Sequence, residues 1–257
     1  MIDKKVFLNT IPFEDKNKIS KLYEKICFCL KTGREVYTEE FYPPNVWRYM
    51  EKIKGALGVD VSSYGVFNES ERKIMAFSQG EVWNFPVSLI KMQNKSEFSK
   101  LTHKDYLGSI LALGIRREKL GDLICEDCSA YVAIYEELAD YIMYNLKSVG
   151  NSPCSVEIVD IYNSHLPQYN FKEENIISTS FRLDSIVSSI TGLSRSKALD
   201  IIREGKVMKD YMVESEKNEI VHENSILTIR GYGKYKIVSQ VGTTGSGRIK
   251  ILLKKFM

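Results

Sequence analysis

Cys125 and Cys128, in "CEDC", have the spacing by which a turn between two strands can offer two thiolates to zinc. A structural zinc site needs two further ligands at compatible positions. His103, His165 and His222 are scattered and supply none, so the segment is read as a tight turn around Glu126-Asp127, without metal. "GTTGSGR" at 242–248 is glycine-rich but lacks the Lys-Ser/Thr ending of a phosphate-cradling loop, and it is read as a flexible turn exposing Arg248. Asp184, in "RLD" at 182–184, is a carboxylate at the head of an apolar helical run and reads as a helix-start acid.

The pattern with most chemical content is "GLSRSKALDIIREGKV" at 192–207. Ser194 is a helix cap, Ala198, Leu199, Ile201 and Ile202 form an apolar stripe, and Gly205 ends the run. Arg195 and Lys197 then fall in the first turn, where the macrodipole is already positive and each cation costs about 0.3–1 kcal/mol. A bound phosphate would reverse that sign, because a helix start also presents unpaired N–H groups. The alternative is that Lys197 pairs with Asp200 or Glu204 on the same face. Arg182, Arg203, Lys206 and Lys209 add four cations from the same helical pair and the strand after it, a set suited to backbone phosphates more than to base edges.

The charge of the whole chain hides this concentration. Of a net +3 over 257 residues, residues 181–257 hold 14 Lys+Arg against 8 Asp+Glu, giving +6, and residues 1–180 hold 22 against 25, giving −3. A basic module on a mildly acidic body is the footprint of a polyanion binder. No apolar run approaches the roughly 18 residues of a membrane span, the N-terminus lacks a signal-peptide core, and five cysteines without secretory context predict reduced thiols. The expected location is the cytoplasm.

Three domains of an α+β protein are expected to position these groups. Residues 1–80 read as helical, with one helix from about Glu14 to Lys31, a second containing Val46, Met50 and Ile53 after "YPPN", and a third following Asn68. Residues 81–165 read β-α-β-β-α-β, the ferredoxin-like or RRM-like order, with Thr102 capping the first helix and Asp105 in its first turn. In this domain Tyr131 and Tyr135 share a strand face and are stacking candidates if exposed, and Arg116, Arg117 and Lys119 are RNA-contact candidates. Residues 163–180 read as a linker, and residues 181–257 as a helix pair with a small sheet.

"FRLDSIVSSITGLSRSKALDIIREGKVMKD" resembles the S-four type RNA-binding domain, named for a small-subunit ribosomal protein, over residues 181–230. The resemblance assigns an RNA-contacting face to Arg182, Ser194, Arg195, Ser196, Lys197, Arg203 and Lys206. Two places differ from the family pattern: "MKDYM" replaces a Val-Asn-Gly turn, and Asn224-Ser225 replaces a Gly-Asp. "HKDYLGSILALGIRREKLGDLI", "GVFNESERKIMAF" and "IRGYGKYKI" extend the similarity to the bacterial YlmH family along nearly the whole chain. That resemblance implies a helical N-terminal domain, a central RNA-binding module and the C-terminal domain just described. It also implies work at the ribosome in translation quality control, on the large subunit, with ribosomal RNA or tRNA as partner. No cofactor is implied.

Pseudouridine synthases also use Arg-Leu-Asp with a catalytic Asp, but here the tripeptide opens the RNA-binding module, and the expectation is a non-enzymatic protein. An RNA modifier or a protein-interaction adaptor is the alternative. Because Cys125 and Cys128 are read as turn residues, chelator-treated protein is expected to keep its melting temperature; one equivalent of zinc in the purified protein would contradict that reading.

Overall fold

Ile74–Ser78 is buried at every position, and continuous burial on both faces makes it the central strand of a sheet instead of the helix expected after Asn68. The helical reading of residues 1–80 is thereby corrected to a helix-and-sheet layer. The computed structural model describes residues 2–11, 13–96 and 99–256, which fall into two compact units, 1–168 and 169–257.

The first unit begins with α1 (Lys4–Thr10), α2 (Lys16–Thr32), β1 (Val36–Tyr37), α3 (Pro44–Leu57), β2 (Asp60–Tyr64) and β3 (Ile74–Ser78), the strands ordered β1-β3-β2. Asp3 and Asp15 cap α1 and α2 by accepting backbone N–H groups, and Gly33 and Gly58 end α2 and α3 in the left-handed conformation. Ile19, Leu22, Ile26, Val46 and Met50 pack with Met75 and Phe77 in one core.

The same unit continues with β4 (Val87–Asn94), α4 (His103–Leu111), β5 (Leu120–Glu126), β6 (Ser129–Tyr135), α5 (Ala139–Asn145), β7 (Ser148–Val149) and β8 (Ser152–Val159). The sheet is antiparallel in the order β5-β6-β4-β8-β7, and its core joins Ile90, Met92, Val132 and Ile134 to Tyr106, Ile110 and Ile142 of the helices. Thr102 and Asp105 form a capping box on α4. The β5–β6 turn centres on Asp127 and Cys128, with Asp127 at φ 51°.

Two strips of backbone join these layers. The Asp122 carboxylate accepts the N–H groups of Glu71 (2.6 Å) and Arg72 (3.2 Å), while the Arg72 guanidinium donates to the carbonyls of Leu120 (3.0 Å) and Phe41 (2.8 Å). Lys18 bridges Glu40 and Glu118 at 3.1 and 3.0 Å. Phe41 lies so close to β5 that a Cβ on Gly121 would stand 2.7 Å from its ring.

The second unit comprises β9 (Phe171–Ser178), α6 (Leu183–Thr191), α7 (Arg195–Arg203), β10 (Val207–Lys209), β11 (Met212–Val213), β12 (Ile226–Ile229), β13 (Gly233–Thr243) and β14 (Ile249–Phe256). Its sheet runs β11-β10-β12-β13-β14-β9, so Phe171–Ser178 of the expected linker is instead an edge strand paired with β14. The strand is legible only in three dimensions, because charged and polar residues occupy most of its positions. Leu183, Ile186, Val187, Ala198 and Ile202 of the helices pack on Leu227, Ile229, Tyr235, Ile237, Ile251 and Leu253 of the sheet. The "MKDYM" turn places Asp210 and Tyr211 at φ 49° and 70°, and the Asp210 carboxylate accepts from Ile226 N at 2.8 Å, tying the turn to β12. "GTTGSGR" is a hydrogen-bonded turn: Thr244 N donates to Arg248 O (2.8 Å) and Gly247 N to Thr244 O (2.9 Å).

Gly121→Ala is expected to destabilise the first unit by about 1–3 kcal/mol through overpacking against Phe41, read as a lower midpoint in denaturant unfolding of the full chain. An unchanged midpoint would mean that the layers give way at no cost.

Candidate nucleic-acid interface

Asp184 occupies the first turn of α6 with only 3% of its surface exposed, and a carboxylate so buried requires charged partners. It has two. Arg182 binds it bidentately, Nε to Oδ1 at 3.1 Å and Nη2 to Oδ2 at 3.0 Å, and Arg195, the first residue of α7, donates Nη2 to Oδ2 at 3.1 Å. Burial pushes the Asp184 pKa up, but the Arg182 hydrogen bonds and the two guanidinium charges outweigh it and hold the carboxyl below its ordinary range.

The expectation that Arg195 stands unpartnered at a positive helix end is therefore corrected, since its charge is matched within the fold. Arg195→Glu would set a second carboxylate beside a buried one. Both arginines still reach solvent, with side chains 38% and 53% exposed, and Arg195 engages Asp184 through one of its five N–H donors. Two arginines against one carboxylate leave a net positive group at the junction of the helices.

Ser194 caps α7 by accepting the Lys197 N–H at 3.4 Å, while among the described residues the N–H groups of Arg195 and Ser196 make no hydrogen bond within the chain. Lys197 and Arg203 are exposed and have no ion pair among the described residues; Asp200 and Glu204 share a stripe with Lys197, and Glu204 pairs with Lys206 instead. Lys209 is placed differently. Its side chain is 12% exposed, pairs with Glu219 and donates to Ile220 O at 2.7 Å, pinning the loop whose carbonyls accept Leu183 N (2.8 Å) and Asp184 N (3.3 Å). It builds the start of α6 and is not presented to a ligand.

In the first unit the candidates separate in the same way. Arg117 donates to the carbonyls of Leu120 (2.7 Å) and Gly121 (3.1 Å), and burial lowers its pKa, so it is a structural donor. Arg116 is exposed and pairs with Glu40 at 3.2 Å. Tyr135 is buried under Lys119, whose Nζ sits 4.4 Å from the ring centroid, which removes it as a stacking platform; Tyr131 is half-buried beside Lys91. A groove of about 430 Å³ at the end of β4 and β8 is bordered by Trp83 and Tyr162, which are 80% and 77% exposed. Single exposed aromatics in loops carry no periodic signal, so sequence reasoning passed them by.

Residues 81–163 match the family model described as "Putative RNA-binding domain in YlmH". The chain is 22% identical over 220 residues to the ribosome-associated protein quality control protein P2 of Bacillus subtilis (strain 168), an alignment spanning 84% of this chain and 86% of that protein. The similarity to YlmH proteins thus rests on the family model over residues 81–163. The solved structure of the cell division protein ylmH from Streptococcus pneumoniae is 25% identical, with a TM-score of 0.48, covering 58% of this chain and 93% of that one. RNA binding is thus named in the description of the matched domain family, and ribosome association in the name of the B. subtilis relative. Among the described residues of this chain no helix is long and apolar enough to cross a membrane.

Because the folded Asp184 pKa is depressed, its contribution to stability is complete above the ordinary value of 3.8 and is lost as pH falls through the lower folded value. Asp184→Asn is expected to lower stability at neutral pH by about 1–3 kcal/mol, since the guanidinia are partly solvated, and the gap to wild type should narrow below pH 3.8. Thermal melts of both proteins against pH test this. A gap that stays constant at low pH would mean that the loss comes from packing alone.

Proposed function

We propose that this protein is a non-enzymatic, cytoplasmic RNA-binding protein that docks structured ribosomal RNA or tRNA through the α6–α7 pair, acting at the large ribosomal subunit in translation quality control. The carrying observation is the arrangement of α7. Arg182 and Arg195 are fixed by a shared buried acid, and Lys197 and Arg203 stand beside them without partners among the described residues. Cations held in place by the fold lose little conformational freedom when they meet phosphate. The helix pair on a small sheet supports the S-four type reading, and the β5-β6-β4-β8 strand order supports the ferredoxin-like one. The B. subtilis relative, described as ribosome-associated and concerned with quality control, supports the cellular setting.

Asp184 favours this reading over an RNA-modifying enzyme. A catalytic carboxylate must reach substrate, whereas this one is buried and shared between two arginines.

Lys197→Glu combined with Arg203→Glu is expected to weaken binding of unfractionated tRNA by the full chain at least tenfold, about 1.4 kcal/mol, with little change in melting temperature. Unchanged affinity would overturn the assignment to α7. Nucleoside analysis of the incubated tRNA should show no new modification, and a modified nucleoside appearing with time would favour the enzyme.

A further inference from the structure

The large apolar side chains that stand furthest into solvent among the described residues are Trp83 and Tyr162, 80% and 77% exposed. One such side chain alone is ordinary, but these two lie far apart in sequence and border the same groove. The sheet brings them together. β4 and β8 are antiparallel neighbours with Leu89 opposite Val159, so the segment entering β4 and the segment leaving β8 meet at one end. Ile158, 45% exposed, adds a third apolar side chain there. Apart from Tyr64, every residue bordering the groove falls within 81–163, the stretch matched by the RNA-binding family model.

The rings at the groove differ in their commitments. Phe85 stacks on Tyr64, 5.3 Å between centroids and 28° between planes, and meets Tyr37 edge-on at 5.7 Å, so it is used inside the fold. Trp83 and Tyr162 make no ring contact and no side-chain hydrogen bond among the described residues. Tyr162 is nonetheless held through its backbone: Asp160 Oδ1 accepts the N–H groups of Tyr162 (2.9 Å) and Asn163 (3.3 Å), and Oδ2 accepts from Asn163 Nδ2 (2.7 Å). Among the described residues Asp160 is the one charged group bordering the groove. A carboxylate repels phosphate, so the site suits the uncharged part of a nucleic acid, the face of a base. Unpaired bases are commonly held on tyrosine and tryptophan rings in this way.

We infer that this groove binds an unpaired nucleobase of RNA, with Trp83 and Tyr162 as its stacking surfaces. The inference rests on the RNA-binding reading above, and adds a base contact in the first unit to the phosphate contacts of the α6–α7 pair.

Trp83 supplies a direct readout, because the other tryptophan of the chain, Trp47, is 8% exposed and donates its indole N–H to Glu71 O at 2.9 Å. Hexauridylate is expected to quench the emission of the full chain, and an abasic oligomer of the same length to leave it unchanged. In polarisation of end-labelled hexauridylate, Trp83→Leu should lower affinity at least fivefold. The slope of log affinity against log salt should not move, since no phosphate contact is lost. Trp83→Phe should restore most of the binding. The melting temperature should stay level at so exposed a position; should Trp83→Leu melt early, Tyr162→Leu, which keeps Trp83, replaces it. Absence of quenching by hexauridylate, equal quenching by the abasic oligomer, or unchanged affinity in the leucine variants would each overturn the inference. If Lys197→Glu with Arg203→Glu still weakens tRNA binding, the helix-face reading survives that failure; tRNA binding unchanged in every variant would overturn both. A shift of Trp83 emission by RNA-free ribosomal protein, and not by the oligomer, would assign the groove to a protein partner and likewise overturn the inference.

Discussion

The buried carboxylate of Asp184 is the constraint on which the basic face of this protein depends. An isolated carboxylate in that position would be too costly to keep ionised, so the fold must bring cations to it. It brings one from its own helix start and one from the start of the next, which fixes the two helices relative to each other by charge as well as by Leu183, Ile186, Ala198 and Ile202. Each arginine is thereby held with part of its guanidinium facing water. The acid is deployed inside the unit as an anchor, and the surplus positive charge is left outside.

Positioning of this kind runs through the second unit. Lys209 is committed to the loop that supplies carbonyl acceptors to α6, and Asp210 to the turn before β11, so two charged residues near the basic face serve the backbone. In the first unit Asp122, Arg72 and Arg117 do similar work where the small N-terminal sheet meets β5. Counting charges along the sequence gives the sign of a domain's field. Separating the charges that build from those that remain available requires the partners.

Much of this architecture was legible beforehand, and the reasons lie in particular residues. The Thr102 and Asp105 pair announced α4 because a capping box is a local device, and Gly192 and Ser194 bounded α6 and α7 for the same reason. The strand Ile74–Ser78 was not legible, since five residues buried on both faces show neither helical nor strand period. β9 was hidden by its polar edge positions, and its pairing with β14 joins residues more than 70 positions apart. Among the site residues, Lys197 and Arg203 are exposed, whereas Arg117 and Lys209 are drawn inward by backbone carbonyls that no spacing rule reveals. The tie between Asp184 and Arg195 spans eleven residues and two helices, which is beyond what local periodicity carries.

The account's central claim is that structured RNA lies against the helix pair. Ultraviolet crosslinking of the full chain to unfractionated tRNA, followed by mass spectrometry of the attached peptides, reads this directly. Crosslinks are expected within residues 181–206, at or beside Arg195, Lys197 and Arg203, and they should fade as salt rises. Crosslinks confined to residues 81–163, with none in the helix pair at any salt concentration, would contradict it.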